Sequence, residues 1–93
     1  MGEQDVRRVV EALCRKGFIE DATRDHRYFF FYYEGRRVFH TKISHGAKVI
    51  GDSLIGMMSR QMHLSKNEFL QFVQCTLSEK DYVGILKDKG LIV

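Results

Sequence analysis

The chain has 93 residues, of which 44% are hydrophobic and 29% charged, and its formal net charge is +3. This length allows one domain with one core, and the composition, with no proline and no biased tract, excludes a disordered protein. No apolar run approaches the ~20 residues that cross a bilayer, and the first residues, MGEQDVRR, include no apolar signal region, so we expect a cytoplasmic protein without a membrane segment.

The first predicted element is a helix that is capped by Asp5 and closed by Gly17, a glycine that can adopt positive φ. Its apolar residues recur at helical spacing at Val6, Val9, Val10, Leu13 and Cys14. Cys14 is therefore expected in the core. Both cysteines, Cys14 and Cys75, are expected to be reduced thiols, since they show no metal-ligand spacing.

Three strands are predicted next, as an antiparallel meander. Residues 18–21 form a short strand, the aromatic run 27–33 forms a second, and residues 37–44 form a third. Glu34-Gly35 provides the tight turn between the last two.

With a two-residue turn, both faces of this hairpin are partly apolar. One face is expected to carry Tyr28, Phe30 and Tyr32 with Arg37, Phe39, Thr41 and Ile43. The other is expected to carry Arg27, Phe29, Phe31 and Tyr33 with Arg36, Val38, His40 and Lys42. A one-residue slip would exchange the members. The second face interleaves rings and cations, which suits RNA, but C-terminal helices or a second copy of the chain are the alternative cover.

A second helix is expected from Asp52, with that aspartate as its cap. Its buried face is expected to hold Leu54, Ile55, Met58 and Met62. Two short helices follow, because residues 65–68 and 78–81 each begin with serine and end with an acid, the capping-box pattern. Gly90 ends the last helix, and residues 91–93 pack back. The predicted fold is α+β, in the order α-β-β-β-α, with two short C-terminal helices.

Positive charge is concentrated in the middle of the chain. Residues 22–48 contain six basic residues and two acidic ones, whereas residues 49–93 contain five of each. A positive field in one segment indicates an anionic partner such as RNA. The expected nucleic-acid contacts are Arg24, Arg27, Arg36, Arg37, His40, Lys42 and Lys48.

Residues 5–65 resemble the HicA-type (YcfA-like) mRNA interferase toxins, which share the fold of the double-stranded-RNA-binding domain. The resemblance rests on Arg15-Lys16-Gly17-Phe18, His26-Arg27-Tyr28-Phe29, Glu34-Gly35-Arg36-Arg37-Val38, Ser44-His45 and Arg60-Gln61-Met62-His63-Leu64-Ser65. It implies a single domain, with a HicA-like core over residues 1–65 and a C-terminal helical extension over residues 66–93. It also implies an antitoxin-type protein partner.

The histidine that opens the second strand is the catalytic residue of an endoribonuclease in that family, and it maps onto His26. A neutral imidazole can take the proton of an RNA 2′-hydroxyl, whose oxygen then attacks the adjacent phosphorus. Arg24, Arg27 or Lys42 would stabilise the charged phosphorane. This chemistry uses neither a metal nor a cofactor.

Arg24-Asp25 precede this histidine, where the family has Gly-Ser. This departure supports an alternative function, a non-catalytic module of the same fold that binds nucleic acid, a protein partner or a second copy of itself. The histidines lack the spacing of known zinc sites, so no metal site is expected.

Overall fold

The computed structural model describes residues 3–74 and 76–93, which form an α+β domain. Its strands are β1 (Gln4–Asp5), β2 (Phe18–Asp21), β3 (Arg27–Tyr33), β4 (Arg36–Ile43) and β5 (Val49–Ile50). Its helices are α1 (Val6–Arg15), α2 (Asp52–Gln61), α3 (Lys66–Val73) and α4 (Glu79–Asp88). A three-stranded antiparallel sheet has the order β2-β3-β4, and β1 pairs with β5. The predicted fold is confirmed, with the short β1–β5 pair added.

Helix α1 begins and ends as its sequence predicts. The Asp5 carboxylate accepts a hydrogen bond from the Arg7 amide at 2.8 Å, and Gly17 adopts a φ of +101°. The buried side chains are Val6, Val9, Ala12 and Leu13. The core position expected for Cys14 is wrong: a helix turns by about 100° per residue, which carries this thiol to the exposed side. Partial burial still raises the pKa of the thiol.

The β3–β4 hairpin has a tight turn and a β-bulge. Glu34 and Gly35 both have positive φ, 51° and 78°, as a two-residue hairpin turn requires. Tyr32 pairs with Arg37, but Phe31 pairs with Phe39, so one extra residue interrupts β4.

The bulge residue, Val38, makes the expected division of the two faces partly wrong. Beyond it, Phe39, Thr41 and Ile43 share the face of Phe29 and Phe31. His40 and Lys42 join the face of Tyr28 and Phe30. The exchange has the form of a one-residue slip, confined to the part of β4 that follows the bulge.

All four helices contribute to one core on a single face of the sheet. Phe29 and Phe31 are fully buried there with Phe69, Phe72 and Tyr82. The Phe31 and Tyr82 rings meet edge to face, with centroids 5.1 Å apart. Helix α4 therefore covers Phe31, which confirms the alternative of cover by the C-terminal helices for this ring of the expected face.

The C-terminal helices α3 and α4 both begin with capping boxes, as predicted. Ser65 and Glu68 exchange side-chain and backbone hydrogen bonds at the start of α3, and Ser78 and Asp81 do so at the start of α4. Gly90 follows α4 with a φ of 73°. These local bonds fix where each short helix starts.

Helix α2 begins at Asp52, but the expected aspartate cap is wrong. Gly51 is the N-cap and makes no side-chain hydrogen bond. Asp52 is the first helical residue, and its carboxylate lies 3.5 Å from the Lys66 ammonium. An acid in the first turn is also stabilised by the helix dipole.

A buried lysine ties α1 to the C-terminal helices. The Lys16 ammonium donates hydrogen bonds to the carbonyls of Phe72 and Leu77, each at 2.7 Å, and lies 4.7 Å from the centre of the Phe72 ring. Only 6% of Lys16 is exposed. Residues 66–93 are thus joined to the same core as residues 3–65.

No helix in the described part of the chain combines the length and the apolar character that a membrane crossing requires.

Candidate nucleic-acid interface

The sheet surface opposite the helices carries aromatic and basic side chains, and we call it the open face. It is formed by Ile19 and Asp21 on β2, Tyr28, Phe30 and Tyr32 on β3, and Arg37, His40 and Lys42 on β4, with Arg24 from the β2–β3 loop. None of these side chains belongs to the core cluster. The bulge brings the basic side chains to this surface, because it turns His40 and Lys42 of β4 toward Tyr28 and Phe30 of β3.

Tyr28 and Phe30 form the centre of the open face. Their rings are nearly parallel, with an interplanar angle of 13° and centroids 5.8 Å apart. The His40 ring lies 5.5 Å from the first ring and 5.7 Å from the second. Three flat side chains from two strands thus lie side by side.

Two arginines cover Phe30. The guanidinium carbon of Arg37 lies 4.6 Å from the ring centre, and that of Arg24 lies 5.4 Å away. Phe30 is only 8% exposed, although it is outside the core. Its cover is therefore supplied largely by side chains that can move, rather than by a packed helix.

The β2–β3 loop positions Arg24. Asp21 accepts hydrogen bonds from the Thr23 hydroxyl at 2.6 Å and the Thr23 amide at 3.0 Å, and pairs with the Arg24 guanidinium at 3.2 Å. These hydrogen bonds hold the pKa of the Asp21 carboxyl below its ordinary value, and the bond from the Thr23 hydroxyl has the largest effect. On the other side, His45 Nε2 lies 2.9 Å from the Arg24 carbonyl oxygen.

His26 lies at the end of the open face where β3 begins. Its side chain is 35% exposed, and its ring lies 6.5 Å from the Tyr28 ring, edge to face. Nδ1 is 3.4 Å from an Asp25 carboxylate oxygen and makes no hydrogen bond within the described residues.

The structure brings together some of the expected nucleic-acid contacts. Arg24, Arg37, His40 and Lys42 lie on the open face, and the Lys42 ammonium is 5.9 Å from the Tyr28 ring centre. A shallow groove of about 260 Å³ runs along this surface. Its lining residues are Arg24, Tyr28, Phe30, Arg37, Val38, Phe39 and His40.

The other three expected contacts lie elsewhere. Arg27 is on the helix side of the sheet, where it pairs with Glu20 at 2.7 Å, and the hydrogen bond to that carboxylate raises the pKa of Arg27. Arg36 is exposed at the hairpin end, opposite Tyr33. Lys48 is exposed near the start of α1, where its carbonyl accepts the Val6 amide at 3.0 Å.

Tyr28 and Phe30 are the members of the site that were not predicted as RNA contacts. The sequence assigns the mixed aromatic and basic face to the neighbouring rings of β3, which the helices bury. The alternation of rings along the strand was a usable signal, but the bulge determines which basic residues of β4 share a face with which rings.

Within residues 3–74 and 76–93, no three His, Cys, Asp or Glu side chains come together in a way that could hold a metal ion. Comparison with known protein families, curated proteins and solved structures finds no match to this chain.

Proposed function

We propose that this protein is an RNA-binding domain of the HicA-like type that cleaves RNA without a metal ion, using His26 as the general base. The observation that carries the proposal is the half-buried imidazole at the end of an aromatic and basic sheet face that no helix of the described residues covers. Cations on this face attract phosphates, and rings accept unpaired bases. A cytoplasmic location belongs to the same proposal.

The proposed reaction begins when the neutral His26 ring takes the proton of a 2′-hydroxyl. The 2′-oxygen forms a bond to the adjacent phosphorus, and the bond from phosphorus to the 5′-oxygen breaks. The departing 5′-oxygen takes a proton from water, and the His26 ring returns its proton to the solvent. Arg24 and Lys42 flank the Tyr28 ring and are close enough to the face to stabilise the negative charge of the phosphorane. The products are a 2′,3′-cyclic phosphate and a 5′-hydroxyl, and DNA is not cleaved because it lacks the 2′-oxygen.

The test is a cleavage assay on a long single-stranded RNA in EDTA, comparing the native protein with His26→Ala. We expect cleavage by the native protein and none by the variant, because the variant has no group at this position that can take the proton of the 2′-hydroxyl. His63→Asn is the matched control, since His63 packs against Phe39 on the helix side and its positive φ of 62° is one that asparagine tolerates. Equal cleavage by native protein and His26→Ala would refute the assignment.

A non-catalytic binding module is the second candidate. It is favoured by the His26 Nδ1 atom, which is buried and has no hydrogen bond among the described residues to fix the ring for catalysis. Under this function the protein would bind RNA, an antitoxin-type partner or a second copy of itself without cleaving RNA. Retention of intact RNA at low salt, or a dimer by sizing chromatography with light scattering, would support it.

A further inference from the structure

We propose that the open face is a stacking platform for two consecutive unpaired RNA bases, on Tyr28 and Phe30, and that Arg24 and Arg37 occupy the base positions in the free protein. On binding, the guanidinium groups leave the rings and contact the phosphates. This inference rests on the proposed function, because it names the class of RNA that the same surface takes. It requires RNA binding and does not require cleavage.

The burial of Phe30 is the first argument. A phenylalanine with 8% exposure outside the core must be covered by something, and arginine side chains lie over it. The Arg24 guanidinium carbon is almost equidistant from the two rings, 5.3 Å from Tyr28 and 5.4 Å from Phe30. A flat cation over two rings occupies the space that a flat base would fill.

The spacing of the rings is the second argument. Bases that each stack on one ring would be separated as the rings are, by 5.8 Å. In a DNA duplex, neighbouring nucleotides of one strand are about 3.4 Å apart along the helix axis, well below the separation of these two rings. Bases on this platform therefore cannot remain stacked on each other, and paired RNA would have to be opened before it could bind.

The charges around the platform are the third argument. Arg24, Arg37 and Lys42 surround the two rings, and the acid on this face, Asp21, already pairs with Arg24. Base stacking on an aromatic ring is a stronger contact than a cation–π contact at a surface. The exchange of guanidinium for base is thus favourable, and each released arginine gains a phosphate partner.

The position of His26 fixes the register of the strand. Its ring adjoins Tyr28, at 6.5 Å, at the end of the platform away from Tyr32. The nucleotide that stacks on Tyr28 is therefore the one next to His26, the proposed general base. The adjacent nucleotide stacks on Phe30.

The experiment measures binding of a fluorescein-labelled 12-nucleotide RNA of mixed sequence by anisotropy, single-stranded and annealed to its complement. His26→Ala protein is used so that the RNA stays intact. We expect the single strand to bind more tightly than the duplex. Tyr28→Ala and Phe30→Ala should each weaken single-strand binding roughly 5- to 150-fold, the loss of one base stack.

Val49→Ala is the matched control, because Val49 is an apolar side chain, 50% exposed, on β5 and outside the open face; its binding should change less than twofold. Phe30→Leu preserves apolar bulk and replaces Phe30→Ala if circular dichroism shows that the alanine variant does not fold. Arg37→Ala should make the association constant for RNA less dependent on salt. The magnitude of the slope of its logarithm against the logarithm of the salt concentration should fall by about 0.7, the value for one phosphate contact to a single strand.

Duplex binding as tight as single-strand binding, or single-strand binding unaffected by the loss of Tyr28 and Phe30, would overturn the platform. If Phe30→Ala instead converts a dimer to a monomer without weakening RNA binding, the face is a contact between copies, and the platform is again refuted. RNA cleavage by the native protein that survives both ring substitutions would refute the platform alone. Absence of any RNA binding at low salt would remove both the platform and the proposed function.

Discussion

Replacing Lys16 by methionine is expected to destabilise the protein by about 3 kcal/mol. Methionine keeps most of the apolar stem but cannot donate to the carbonyls of Phe72 and Leu77, which are each bonded at 2.7 Å in a buried setting. A buried polar group that loses its partner costs about 1–3 kcal/mol, so two carbonyls cost about 2–6 kcal/mol. Part of this loss of stability is offset, because the variant no longer has to remove an ammonium group from water when it folds.

Urea unfolding followed by circular dichroism at 222 nm measures this loss. With a slope of about 1.5 kcal/mol per molar urea, the midpoint should fall by about 2 M. Lys80→Met, at an exposed position in α4, is the control and should change the stability by less than about 0.5 kcal/mol. A loss below about 1 kcal/mol for Lys16→Met would refute the reasoning, since it would mean that the carbonyls find other partners at no cost.

Two further predictions concern the core. Gly17→Ala should lower the free energy of unfolding by at least 1 kcal/mol more than Gly35→Ala, as measured by thermal unfolding. Both glycines have positive φ, but only at Gly17 would the new Cβ clash, at 2.8 Å from a ring carbon of Phe31. Equal losses of stability in the two variants would contradict this. Tyr82→Phe should lose about 1 kcal/mol, since the Tyr82 hydroxyl donates to the Met62 carbonyl at 2.9 Å in the core. Burial raises the pKa of Tyr82 above its ordinary value, so native stability should fall as the pH rises above about 10, where the unfolded tyrosine ionises. The loss of stability between pH 9 and pH 11, measured by urea unfolding, should be smaller in Tyr82→Phe than in the native protein.

The helix boundaries were predictable because short-range chemistry sets them. The bonds that start α3 and α4 join residues three positions apart, and the glycines that end α1 and α4 need only a local positive φ. Asp52 was misassigned as the cap of α2, because a capping residue and a first-turn acid are adjacent in sequence and both favour the same helix end.

The composition of the open face was not predictable, because it depends on register. Val38 is an ordinary strand residue, and nothing about it in the sequence marks a bulge, yet its insertion moves His40 and Lys42 to the opposite face. The exposure of Cys14 depends on tertiary packing in the same way: Ala12 takes the buried position, since the helix turns its Val6–Val9–Leu13 stripe toward the sheet. His26 was predicted from the resemblance of residues 26–29 to a family motif, and the basic residues near it were predicted from the concentration of positive charge in residues 22–48.

The bulge in β4 also bears on self-association. No strand in the described part of the chain pairs with the outer side of β4, and such an unpaired edge can template the addition of strands from other molecules. A bulge and a row of cations, here Arg36, Arg37 and Lys42, are the devices by which edge strands resist this growth. The residues proposed to attract RNA thus also protect the sheet edge, so charge-neutralising variants of this surface would lose solubility as well as affinity.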